Sequence, residues 1–276
     1  MSTAAIVSLV VAILIALPIA FRIRKAARRK HWIDAPILPE WQKVAEKYFP
    51  RLEGIPKGTR KKIRGIARVL AEEKNFEACG GLEEVTEEMK ALICFQAALL
   101  IAEIPKHKFY PKLRSILVYP GAFRDRGKRR FGLPSEDRGT LLGESWQTGS
   151  VILSWENVKA GAKNDDDGMN VVIHEFAHQL DQADGAADGV PILKNREAYR
   201  QWAEVFERNY EEFVEDLESR RGPEPLIDPY GATNPAEFFA VSSETFFEEA
   251  EDLKKEHPDL YEQLSNFYHV DPASWR

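Results

Sequence analysis

Residues Ala4 to Phe21 are apolar except for Ser8 and Pro18, a run of about the length that crosses a bilayer core as a helix. Helical periodicity follows over Glu40–Phe49 and Thr59–Glu73, with Gly54, Pro56 and Gly58 breaking between them. Residues 31–39 hold two prolines and read as a linker. Phe76–Gly81 is short and closed by glycines, and Glu84–Ala102 reads as a long apolar helix. Ser115–Tyr119 predicts a strand, 121–140 a loop rich in Arg, Gly and Asp. Leu141–Trp146 and Ser150–Trp155 predict paired strands about Gln147-Thr148-Gly149. An apolar helix is predicted from about Met169 to Leu180 and a charged one from Lys194 to Arg220. Gly222–Thr233 predicts a loop, and a last helix pair spans about 235–250 and 258–268. Helices, a small sheet, then helices argue for an α+β fold with one catalytic domain over 31–276.

Charge sharpens the amino terminus. Arg22, Arg24, Lys25, Arg28, Arg29 and Lys30 follow the apolar run, and no basic side chain precedes it. A cleavable signal has its positive charges before the run. The positive-inside rule therefore predicts a single-pass transmembrane anchor over 1–30, its domain on the cytoplasmic side of the inner membrane. A buried core helix is the bland alternative.

The chain of 276 residues carries a net charge of −6, which gives no electrostatic case for direct nucleic-acid binding. Acids dominate 204–262; such runs are usually solvated helix faces, though they also suit a basic partner. Of two cysteines, Cys94 sits in an apolar run and reads as a buried hydrophobe. Cys79 and Cys94 give no disulfide framework.

The chemistry concentrates in His174-Glu175-Phe176-Ala177-His178. Histidines four apart stack on one helix face and reach one ion. A carboxylate after the first histidine takes a proton from the attacking water in zinc peptidases, so Glu175 is the candidate base. Two satisfied core histidines would be the bland reading, but the helix is otherwise apolar, where an imidazole pair without a metal is costly. Catalytic Zn2+ takes three protein ligands. Asp184, Glu197 and Glu237 are the candidates for the third. Asp184 would need a turn without glycine at Asp181, and Glu197 lies in a polar stretch. Glu237 has apolar neighbours and ranks first, although Asn234-Pro235-Ala236-Glu237 equally makes a capping box.

Gly143-Glu144-Ser145-Trp146, Gly149–Trp155, Asp167–Asp181 and Tyr230–Glu244 together resemble the Mlc titration factor A family of zinc peptidases. The resemblance covers most of 32–270, and the apolar amino terminus departs from it. It implies a zincin-like (gluzincin) domain with His174, His178 and Glu237 as ligands and Glu175 as base. The family in turn resembles the catalytic domain of anthrax lethal factor, whose Tyr seven residues before the Glu ligand maps to Tyr230. A phenol there donates to an oxyanion; the alternative is a loop tyrosine packed on Pro229. Asp181 and Glu244 are candidates to orient an imidazole, and Ser150–Trp155 to pair with an extended peptide or serve as a plain core strand.

These features point to a peptidase, with aminopeptidase activity implied by the resemblance. The alternative is a membrane-tethered protein that sequesters an Mlc-like transcriptional repressor. A weaker third reading is a metal-dependent hydrolase of non-peptide substrates.

Overall fold

The computed structural model describes residues 2–49, 54–121, 149–164, 166–219 and 225–275, with the side chains of 5–11 also outside the description. The predicted strand Leu141–Trp146 and nearly all of the 121–140 loop lie outside the described residues.

Helix α1 (Thr3–Asp34) runs unbroken through the basic cluster and into the start of the expected linker. The transmembrane helix expected over 4–21 is not recovered: among the described residues, no helix is long and apolar enough to cross a membrane. Over Ile13 to Ile23 the large apolar side chains are 46–69% exposed.

Helix α2 (Pro39–Tyr48) begins with proline in its first turn, where a missing N–H costs nothing. Helix α3 (Lys57–Glu73) buries Ile63, Ile66, Val69 and Leu70 along one stripe. Gly65 lets α1 approach: a Cβ there would stand 2.9 Å from the Ile33 Cα. Arg29 donates to both oxygens of Glu73 at 2.7 and 2.6 Å, pinning the two helices.

Strand β1 (Asn75–Ala78) leads to α4 (Glu87–Ile101), capped by Thr86 accepting from the Met89 amide at 3.3 Å. This helix is apolar all round and accordingly buried. Cys94 is fully buried there, and burial pushes its thiol well up. Strands β2 (Ser115–Tyr119) and β3 (Ser150–Ser154) complete a three-stranded parallel sheet in the order β1-β2-β3. The register sets Ile116 against Val151 and Val118 against Leu153, all buried.

Ser154 caps α5 (Trp155–Lys163), and Asn170 opens α6 (Val171–Asp181). Helix α7 (Arg196–Ser219) is amphipathic; its Trp202 stacks on Phe206 with centroids 4.0 Å apart and donates to the Gly189 carbonyl. A 3₁₀ turn (Pro229–Thr233) precedes α8 (Pro235–Glu248). The expected last pair is three helices, because α8 stops at Glu248 before α9 (Ala250–Glu256) and α10 (Pro258–Tyr268). Helix α6 packs against both α8 and α4 at the centre. The observed architecture is mostly helical with one small sheet.

Candidate metal centre

The local sequence of α6 dictates its position. Asn170 accepts from the Val172 and Ile173 amides at 3.1 Å each, which satisfies two otherwise orphaned donors. Val172, Ile173, Phe176 and Ala177 are at most 2% exposed. Tyr110 meets Phe176 edge-on at 4.8 Å and donates to the Ala97 carbonyl, locking α6 against α4. Helix α8 begins in the same manner: Asn234 accepts from the Glu237 amide at 3.0 Å. The cap uses the Glu237 backbone, so its carboxylate is available elsewhere.

That carboxylate meets the two histidines. His174 Nε2 lies 3.1 Å from Glu237 Oε2, and His178 Nε2 lies 3.2 Å from the same oxygen. The two imidazole Nε2 atoms are 3.2 Å apart. Three donors thus form a nearly equilateral triangle, and all three residues are buried. Ligands at the 2.0–2.1 Å typical of zinc would stand about 3.3 Å apart on a tetrahedron. One face of such a tetrahedron fits this triangle and leaves a fourth vertex open. Among the described residues, His174, His178 and Glu237 are the group able to hold a metal ion.

The other candidates lie elsewhere. Asp184 is exposed and accepts from the Ala186 amide at 2.9 Å. Glu197 is exposed and pairs with Arg200 at 2.7 Å. Neither joins the triangle. Glu175 follows His174 on α6 and is 4% exposed. Tyr230 is half-buried in the 3₁₀ turn; its hydroxyl donates to Glu237 Oε1 at 3.4 Å, and its ring lies 6.1 Å from that of His174.

A second tier of carboxylates holds the first. His174 Nδ1 donates to Glu244 Oε1 at 2.7 Å, which leaves Nε2 facing the triangle. Glu244 Oε2 accepts from the Asn170 amide at 2.5 Å. Glu248 Oε1 accepts from the Asn170 side chain at 2.8 Å, and Oε2 from the Met169 amide at 3.1 Å. Glu237, Glu244 and Glu248 therefore run along one side of α8 and clamp the start of α6. The acidic run 244–262 read as a solvated face from sequence, yet Glu244 and Glu248 are buried. Sequence reasoning missed Asn170 and Glu248; the signal was an Asn immediately before an apolar helix. Asp181 is fully buried without a hydrogen bond to His178, and burial, opposed by the His178 charge, pushes its carboxyl up to about 6. We expect Glu244→Gln to weaken metal affinity by about 10–100-fold, measured by competition with a chromogenic chelator.

Electrostatics match the donor set. Burial alone would lower the His174 pKa, but the carboxylates of Glu244 and Glu237 overcome it and raise it to about 10 when no ion is bound. Burial would raise Glu237, but bonds from His174 and His178 hold it well below the ordinary carboxylate range. Burial pushes Glu244 up against the opposing imidazole, and Glu248 well up against Asn170.

The sign of the resulting pH dependence is fixed. Below the ordinary value of 6.5, His174 is protonated in the folded and unfolded chains alike, and the ion pair stabilises fully. Between 6.5 and about 10 only the folded chain keeps the proton, so protein stripped of metal loses stability as pH rises through that window. A metal ion bound at the triangle would displace the same proton. Metal affinity should therefore rise by up to about tenfold per pH unit across the window, with one proton released from His174. Calorimetry in buffers of different ionisation enthalpy reads that proton directly.

The comparison with known proteins decides the family. The model of the glucose-regulated metallo-peptidase M90 family matches residues 23–269. The chain belongs to this family. An uncharacterized protein of Synechocystis is 37% identical over 88% of this chain and 90% of its own length. Mlc titration factor A of Serratia proteamaculans is 30% identical over 89% of this chain and 92% of its own. Its counterpart in Yersinia pestis is 29% identical over 87% and 88%. The metallo-peptidase family and the buried His, His, Glu triangle agree on a candidate metal site made by α6 and α8.

Proposed function

We propose that the protein is a zinc-dependent peptidase of gluzincin type. The observation that carries this reading is the convergence of His174, His178 and Glu237 within 3.2 Å of one another. Bound zinc would supply Lewis acidity and bring the pKa of a ligated water near 7. Glu175 takes the proton from the attacking water and passes it to the leaving amine. Tyr230 donates its hydroxyl to the oxyanion of the tetrahedral intermediate, a role its position beside Glu237 supports. Glu244 fixes the His174 ring so that Nε2 faces His178 and Glu237, where the ion would be held. Small peptides with a free amino terminus are the substrate class we favour, as an aminopeptidase. Hydrolysis of unblocked peptides but not of their N-acetylated forms tests that preference; equal rates on both contradict it.

The protein works at the cytoplasmic face of the inner membrane. The exposed apolar side chains from Ile13 to Ile23 support this placement, since water does not favour such a surface. Release of the full chain into the soluble fraction by carbonate washing would contradict it.

A second reading, compatible with the first, is binding of an Mlc-like transcriptional repressor. It is favoured by the relatives named Mlc titration factor A. Full regulatory effect in cells from Glu175→Gln protein would make binding the main function.

A further inference from the structure

Lys57, Arg60, Lys61 and Arg64 fall at i, i+3, i+4 and i+7 of α3, so they share one face of that helix. They line a cavity of about 500 Å³ between α3 and the end of α1. Its apolar floor is Ile33, Ile37 and Gly65, and Asp34 is the single carboxylate among the described lining residues. None of the four cations makes an ion pair or side-chain hydrogen bond among the described residues. Four like charges on one face repel each other. The helix end adds to them, because the first turn of α3 has no acid and Pro56 offers no side-chain cap. The surface therefore gathers positive charge at a helix terminus that is already positive, around a concave and partly apolar pit. An anion relieves all of these costs at once.

The spacing sets the size of that anion. Seven residues of helix rise about 10 Å, longer than one phosphate and matched by two or three linked phosphates. Orientation sets its source. Gly65 lies against Ile33, while Glu73 lies against Lys25 and Arg29, so α3 runs back antiparallel along α1. The basic face is thus at the end of α1 remote from its apolar stretch. From Phe21 to Ile33 the helix rises about 18 Å, beyond a Debye length of about 8 Å at physiological salt. That distance favours a soluble anion over a lipid headgroup.

We propose that this cavity binds a soluble anion carrying two or more phosphate groups. The test is calorimetric titration of the full chain with inorganic tripolyphosphate at low ionic strength. Saturable one-to-one binding is expected, with inorganic phosphate binding at least about tenfold more weakly. The double variant Arg60→Gln, Arg64→Gln should lose at least about tenfold in affinity, as two charge-assisted contacts imply. Lys254→Gln, on α9, should bind as the wild type does. Unchanged thermal unfolding of the double variant shows that its loss is local. Repeating the titration with phosphatidylglycerol vesicles present distinguishes the sources. Absence of saturable binding, undiminished binding by the double variant, or abolition by the vesicles would each overturn the proposal.

Discussion

Glu175→Gln protein is expected to retain its metal and lose peptide hydrolysis, with kcat lower by about 10²–10⁴-fold. The substitution keeps the shape of a side chain that is 4% exposed, so packing of α6 is undisturbed. It removes only the basicity. Glu175 is not one of the three donors that converge, so metal stoichiometry should not change. A loss of metal in parallel with activity would show that Glu175 acts through the site's assembly. Unchanged hydrolysis would remove it from the mechanism.

Glu237→Ala protein is expected to lose its metal. The variant leaves two buried imidazoles with no anionic partner between them, and the triangle becomes a pair. The loss in affinity should exceed the about 10–100-fold typical of removing a group behind a ligand. It should therefore exceed that of Glu244→Gln, whose carboxylate acts through His174. Dialysis against a chelator followed by elemental analysis separates the two variants. If Glu237→Ala kept stoichiometric metal, another oxygen would have to complete the site, and the pairing of α6 with α8 would be structural only.

Both predictions draw on residues that the sequence exposes to different degrees. His174 and His178 were legible because helical periodicity places them on one face of an otherwise apolar segment. Glu237 was ambiguous because a capping box and a metal ligand require the same residue at the same place. The structure separates them: Asn234 caps the Glu237 amide, and the carboxylate turns to the histidines. Glu244 was named as a ring-orienting residue and does bond His174, whereas Asp181 is buried without a bond to His178. Asn170 and Glu248 were not legible, because their contact joins residues 78 apart in the chain. The local pattern around Glu248 is a charge run, which by itself signals a solvated face.

The fold shows the same division. Helices with a strong apolar stripe, such as α3 and α7, were placed within a few residues. The parallel order of the sheet was not readable, because the turn at Gln147-Thr148-Gly149 pointed to a local pairing, whereas β3 pairs with β2, about 35 residues earlier in the chain. Short breaks also escaped. The end of α8 at Glu248 has no glycine or proline to announce it. At the amino terminus, composition identifies the apolar run, while the continuous helix into Asp34 depends on tertiary contacts. Arg29 with Glu73, and Ile33 against Gly65, are made by a helix far along the chain.

We propose that His174, His178 and Glu237 hold a metal that peptide hydrolysis requires. The most direct measurement is hydrolysis of an unblocked peptide by the full chain, assayed as purified, after chelation, and after stepwise return of zinc. Activity should vanish on chelation and return in proportion to zinc, reaching its plateau at about one equivalent per chain. Hydrolysis that persists in the stripped protein, or that zinc at one equivalent fails to restore, would contradict the account.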